Sequence, residues 1–284
     1  MAWTKVMPAN PVVAVCGATG AVGNEFLNVL HDLDFPASKV IALASARSAG
    51  KKLPFEGCGQ VPAGELTVQE MTPESFEGVD IALFSAGGSV SKAMREAVVS
   101  HGAVMIDNSS AFRMDEDVPL VVPEINLADA KAHHGIISNP NCSTIITMVA
   151  LYPLAALSPI RSIVASTYQA VSGAGAGGLA ELEAQVRAYA SGDALAKSVF
   201  PHQIAFNLIP QIGSDVGDGY TTEEMKMQNE GRKIMHLPDM RVTCTCVRVP
   251  VLRSHSISLT VRFERKITVA EAREAIAAAP GCLL

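Results

Sequence analysis

The chain has 284 residues, of which 49% are hydrophobic and 18% charged, with a formal net charge of −6. That length supports two domains and a large core, and dispersed Lys and Arg argue against a nucleic-acid surface. No apolar run is long enough to span a bilayer, the longest being Thr144 to Leu157, which carries Pro153. Met1 to Asn10 lack the apolar core of a signal peptide and the Arg/Ser richness of a transit peptide, so a cytoplasmic location is expected. Six cysteines (Cys16, Cys58, Cys142, Cys244, Cys246, Cys282) form no C-x-x-C and no paired His spacing, which argues against zinc and against a disulfide framework.

Val12 to Cys16 is a short apolar run ending in Gly17-Ala18-Thr19-Gly20-Ala21-Val22-Gly23, and a helical pattern follows through Leu27, Leu30 and Leu33. Strand, glycine turn and helix in that order open a dinucleotide-binding fold. The glycines let the backbone approach a pyrophosphate, while the helix start supplies N–H donors and a positive dipole. The second strand, Val40 to Ala44, is expected to end near the adenosine ribose, where an NAD site offers a carboxylate. Ser45, Arg47 and Ser48 stand there instead, and an arginine between hydroxyls suits a 2′-phosphate, so NADP is the expected cofactor. Strands at Val79 to Ser85 and Ala103 to Asp107 alternate with a helix at Ser89 to Ser100, as a doubly wound parallel sheet requires. Residues 1–141 are expected to form this Rossmann-type NADP-binding domain.

Asn139-Pro140-Asn141-Cys142-Ser143-Thr144 places one cysteine where the strand Gly135 to Ser138 turns into a long apolar helix. Helix-start N–H groups and the helix dipole stabilise a thiolate and lower its pKa, and they could also stabilise an oxyanion on a bound carbonyl. The plain alternative is a small buried hydrophobe after a proline turn. Beyond this helix the pattern changes to long strands, Arg161 to Val171, Arg241 to Leu252 and Ser256 to Glu264, with two helices between the first pair. Residues 142–284 are therefore expected to form an α+β catalytic and dimerisation domain with a mainly antiparallel sheet. Cys244 and Cys246 share one strand face and read as packing residues. Thr221-Thr222-Glu223-Glu224 fits a capping box for a helix running to about His236, on which Glu223 and Lys226 share a face and, read alone, form an ordinary surface pair. Gly173 to Gly178 reads as a turn. Thr268 to Glu271 caps a helix to Ala279, and after Pro280-Gly281 an apolar run, Cys282-Leu283-Leu284, simply stops, so the end reads as interrupted.

In combination, the glycine turn, Asn139-Pro-Asn-Cys-Ser-Thr144, Tyr168-Gln-Ala-Val-Ser-Gly-Ala-Gly175 and Arg248-Val-Pro-Val-Leu-Arg-Ser-His255 resemble the aspartate-semialdehyde dehydrogenase family over almost the whole chain. The resemblance implies reduction of L-4-aspartyl phosphate to L-aspartate 4-semialdehyde with NADPH, on the route to lysine, threonine and methionine. It implies Cys142 as the nucleophile, forming a thioester, His255 as the acid/base, and Gln169 as the group orienting the acyl carbon. His255 read alone is a satisfied strand histidine. By the same resemblance, Arg248 would fork onto the α-carboxylate, Glu223 would meet the ammonium, Asn141 would line the substrate site, and Arg113 and Lys226 would hold phosphate. Read alone, Arg113 is a surface loop charge. Ser172 and Gly173 would join Gly17, Thr19, Gly20, Ala21, Val22, Gly23, Ser45, Arg47 and Ser48 around the cofactor. A homodimer is implied, with no metal, nucleic acid or membrane partner. Family members continue for several dozen residues beyond the equivalent of Leu284, so a catalytically silent NADP-binding or interaction protein is the alternative from another class. A reductase of another acyl phosphate, such as N-acetyl-glutamyl phosphate, is the alternative within the chemistry.

Overall fold

A computed structural model describes residues 5–284; the first four residues of the Met1 to Asn10 segment lie outside the described residues. The chain forms two compact units, one comprising the chain up to Val121 with Ala128–Pro140, the other Val122–Leu127 with Asn141–Leu284.

The first unit is built on strand β1 (Val12–Cys16), whose side chains alternate between two cores as the period of a strand dictates. Val13 and Val15 pack with Leu27 and Leu30 of α1 (Ala21–Asp32), while Ala14 and Cys16 pack with Phe84, Val98 and Met105 on the other side. Both faces are covered, so β1 reads as a continuous apolar run, the mark of a buried parallel strand. Around it lie β2 (Lys39–Ala44), β6 (Ile81–Phe84), β7 (Val104–Asp107) and β8 (Ile136–Ser138), with α2 (Gly88–Ser100) following β6. An edge strand, β5 (Gln69–Glu70), completes a six-stranded parallel sheet of order β5-β2-β1-β6-β7-β8. This is the doubly wound sheet expected from the sequence. A hairpin of β3 (Lys52–Phe55) and β4 (Gly64–Thr67) precedes β5 and was not foreseen, since its strands are short, half-polar and interrupted by Pro54.

The second unit opens with α3 (Pro123–Asn126) and α4 (Cys142–Leu157), which packs Thr147, Met148 and Leu151 inward. Pro153 cannot donate to the carbonyl of Val149, and the Cys282 thiol reaches that carbonyl at 3.7 Å. Strand β9 (Ile160–Gln169) is the middle of a three-stranded sheet; β12 (Arg241–Arg248) pairs with it in parallel and β13 (Ser256–Phe263) antiparallel. The antiparallel pairing expected is the β9–β13 edge; β12 runs parallel because the chain from β9 returns through α5 (Gly175–Ser191) and α6 (Thr222–Met235) before entering it. A small hairpin, β10 (Asp215–Gly217) with β11 (Tyr220–Thr221), leads into α6, and α7 (Val269–Ala278) follows β13. Ile163, Ala165, Cys244 and Cys246 face the core with Met148, Met227 and Met240. The Cys244 and Cys246 sulfurs lie 3.6 Å apart there, as packing residues of one strand face. Val164 and Tyr168 point away from the core and are exposed. No helix among the described residues is long and apolar enough to cross a membrane.

Candidate active site

Asn141 caps α4: its side-chain oxygen accepts from the N–H groups of Ser143 (3.0 Å) and Thr144 (3.3 Å), which leaves Cys142 as the first helical residue. Two carboxylates of α6 fix the cap from behind. Glu230 accepts the Asn141 main-chain N–H at 2.7 Å, and Glu223 accepts its side-chain N–H at 2.8 Å. Glu230 is buried and was not foreseen, because a single carboxylate inside a polar helix carries no local signal of a partner 89 residues away.

The Glu223 carboxylate is the hub of the polar cluster. One oxygen takes Asn141 and the Gln169 amide (3.1 Å); the other takes Lys226 at 2.8 Å. The Thr167 hydroxyl donates to the Gln169 carbonyl at 2.9 Å, which fixes the orientation of that amide. Burial alone would raise the Glu223 pKa, but Lys226 first, then Asn141 and Gln169, hold it below its ordinary value. Glu223 and Lys226 thus form a pair drawn into a buried network, with Glu223 itself buried.

His255 lies just before β13, with its Nε2 3.2 Å from the Cys142 sulfur and its Nδ1 accepting the Ala170 N–H at 3.0 Å. The Ala170 carbonyl in turn accepts from the Arg248 guanidinium at 2.7 Å. Gly173 sits against both side chains: a Cβ there would stand 2.7 Å from Arg248 Nη1 and 3.4 Å from His255 Cε1. The strands expected to run to Val171 and Leu252 end at Gln169 and Arg248, and the chain then turns to bring Ala170 and Gly173 to these groups. Burial first, then the Arg248 charge, lowers the His255 pKa against the pull of Glu223. Burial and Arg248 thus favour the neutral ring.

The thiol corrects one expectation. Cys142 is exposed, yet its pKa is raised, first by loss of hydration among its neighbours and then by the Glu223 charge; the Ser143 N–H and hydroxyl and Arg248 pull the other way and do not prevail. The helix start does not lower this thiol's pKa, because its lost hydration and, after that, the Glu223 charge outweigh it.

In the first unit, Gly17 has φ +87°, a conformation natural to glycine, and a Cβ there would collide with the carbonyl of Ser85; one at Gly23 would collide with the carbonyl of Gly17. Gly20 caps α1 with no side chain, and the first turn carries no acidic residue, so the N–H groups near Thr19, Ala21 and Val22 are left for a ligand. These features fit a dinucleotide pyrophosphate. Ser45 and Arg47 are exposed beyond β2, whereas Ser48 is buried within the short helical turn Ala46–Ser48. Arg113 is buried, not a surface charge: its guanidinium donates to the carbonyls of Asn139 and Asn108, both at 2.9 Å. Among the described residues no group of three or more His, Cys, Asp or Glu could hold a metal ion.

Residues 12–133 match the family model of the semialdehyde dehydrogenase NAD-binding domain, and residues 151–284 that of the semialdehyde dehydrogenase dimerisation domain. An aspartate-semialdehyde dehydrogenase of Bacillus subtilis is 50% identical over 280 residues, covering 96% of this chain and 79% of that one. The Aquifex aeolicus enzyme of that name is 50% identical over 276 residues, with coverage of 96% and 79%. Among solved structures, aspartate semialdehyde dehydrogenase II of Vibrio cholerae complexed with ASA superposes with a TM-score of 0.91 at 41% identity, covering 96% of this chain and 80% of that one. The Candida albicans enzyme with NADP gives 0.69 at 25% identity, with coverage of 95% and 76%.

Proposed function

The chain belongs to the aspartate-semialdehyde dehydrogenase family, and from that premise we propose that it is an NADP-dependent, phosphorylating enzyme that interconverts L-4-aspartyl phosphate and L-aspartate 4-semialdehyde through a thioester on Cys142. The observation that carries this reading is the contact of 3.2 Å between Cys142 Sγ and His255 Nε2 at the start of α4. The Cys142 thiolate attacks the acyl carbon, a C–S bond forms, and phosphate leaves with the electron pair of the C–O bond. Bound NADPH supplies the hydride that turns this acyl group into the aldehyde. His255 serves the proton transfers at the sulfur. Arg248 binds the α-carboxylate, Glu223 faces the ammonium, Gln169 and Asn141 orient the acyl group, and Arg113 with Lys226 receives phosphate. Gly17 to Gly23 hold the pyrophosphate, with Ser45, Arg47 and Ser48 toward the adenosine 2′-phosphate and Ser172 and Gly173 toward the nicotinamide. The same reading makes residues 1–141 the NADP domain and 142–284 the catalytic and dimerisation domain, in a cytoplasmic homodimer serving lysine, threonine and methionine synthesis.

The test is to mix the purified protein with aspartate semialdehyde, inorganic phosphate and NADP and to follow NADPH absorbance. Phosphate-dependent NADPH formation is expected, with NAD a much poorer oxidant. No turnover while NADP still binds overturns the proposal.

A further inference from the structure

Three carboxylates of α6 are buried, a placement that costs free energy unless each finds donors. Glu223 has its polar cluster, and Glu224 closes the capping box and accepts the Cys246 N–H of β12 at 3.1 Å. Glu230, only 2% exposed, has no part in the chemistry proposed above. It lies seven residues beyond Glu223, about two helical turns, and so on the same face of α6, where its carboxylate accepts the Asn141 main-chain N–H at 2.7 Å. Asn141 is thus held at three points: its N–H by Glu230, its side-chain N–H by Glu223, and its side-chain oxygen by the N–H groups of Ser143 and Thr144. Of these, the Glu230 bond is the one that grips the main chain, one residue before Cys142.

The frame behind Glu230 is held as well. Arg232 donates to the Met240 carbonyl at 2.7 Å, and Glu224 ties α6 to β12. Gly231 brings α6 so close to α4 that a Cβ there would stand 2.5 Å from Met148 Cε and 3.3 Å from Met240 Cε. There is little room for α6 to move in and follow a shortened side chain at position 230. Resting on the assignment of Cys142 as nucleophile, we propose that Glu230 is a positioning residue of the reaction: through the Asn141 main chain it sets the direction in which the Cys142 side chain leaves the start of α4. Displacing a reacting group by about 1 Å can cost on the order of a hundredfold in rate. The reach of the acceptor at position 230, rather than its charge, is then what the attack on the acyl carbon depends on.

Two variants of the whole protein separate reach from charge. Glu230→Gln keeps a carbonyl oxygen at the same reach and removes the charge, whereas Glu230→Asp keeps the charge and withdraws the acceptor by one methylene. In the NADPH assay, read below the Tm of each variant, Glu230→Asp is expected to lose about thirty- to a hundredfold in kcat and Glu230→Gln about threefold, with KM for aspartate semialdehyde within about threefold of wild type in both. Iodoacetamide labelling of Cys142, quantified on its own peptide, is expected to stay within about twofold of wild type, because a small reagent from solvent needs the exposed thiol but not its aim. Glu230→Gln slowed as much as Glu230→Asp, or neither slowed, overturns the proposal; a role in packing alone would lower Tm in this way without separating the two in kcat. Labelling that falls in step with kcat also overturns it, by placing the effect on the acidity of the thiol. A wild-type chain without turnover sinks the enzyme reading and this role with it, whereas wild-type turnover matched by Glu230→Asp removes this role alone.

Discussion

The role proposed for Cys142 rests on position rather than acidity. Cys142→Ser is expected to abolish NADPH formation while leaving NADP affinity within about twofold, because its partner is His255 and the residues proposed for the pyrophosphate and adenosine lie in the other unit. Titration of bound NADP by fluorescence beside the turnover assay checks this, and substantial residual turnover would exclude a thioester. Arg47 makes the opposite kind of claim, about selectivity. It is exposed beyond β2 with no carboxylate in the turn Ser45 to Ser48, so Arg47→Ala is expected to weaken NADP by roughly one to two decades and NAD hardly at all. Isothermal titration with both nucleotides decides it, and equal losses would show the guanidinium acting elsewhere. Cys142 and His255 were legible from sequence through the motifs that contain them. What the motifs hid was the environment, since the raised thiol pKa comes first from burial and then from Glu223, both set by the fold rather than by the residues next to Cys142 in sequence.

At the scale of elements, the best-read features are those whose partners are local. The Thr221 to Glu224 capping box forms as expected, with Thr221 accepting from the Glu224 N–H and the Glu224 carboxylate returning to the Thr221 N–H. Strand β1 and the glycine turn were equally plain, because period-two burial and positive-φ glycines leave their mark within a few residues. The end of β9 was misread by two residues: Ala170 and Val171 continue the apolar run but turn away, and Ala170 serves Arg248 and His255. Glu230 was missed for the converse reason, its partner being remote. The cap that it supports is the element most open to test. Asn141→Ala removes two acceptor bonds at the start of α4 and one donor to Glu223, and is expected to cost about 1–2 kcal/mol, lowering Tm by about 2–4 °C per kcal/mol. A larger loss in kcat than in Tm is expected too, since Cys142 is the next residue. Calorimetry and turnover on one preparation check both, and an unchanged Tm would deny the cap its role.

For the molecule as a whole, the outer face of β9 bears most directly on assembly. Val164 is 50% and Tyr168 46% exposed on a sheet whose other face carries the core, and residues 151–284 match the semialdehyde dehydrogenase dimerisation domain. Tyr168→Lys is expected to shift the proposed homodimer toward monomer by roughly two to four decades in dissociation constant, from the loss of an aromatic ring worth roughly 1.5–3 kcal/mol in each subunit. Sedimentation velocity across a dilution series reads this directly, and a wild-type monomer at micromolar concentration would refute it. The hydrogen bonds that assemble the site span 82, 89 and 113 residues. Closing loops of that size before any contact rewards them is slow, so the site belongs to the last stage of folding. During refolding, helical circular dichroism should recover before Cys142 regains its native labelling rate. During synthesis, the nucleophile emerges well ahead of the histidine that will face it. Every nascent chain therefore passes through an interval in which the Cys142 thiol has no imidazole beside it.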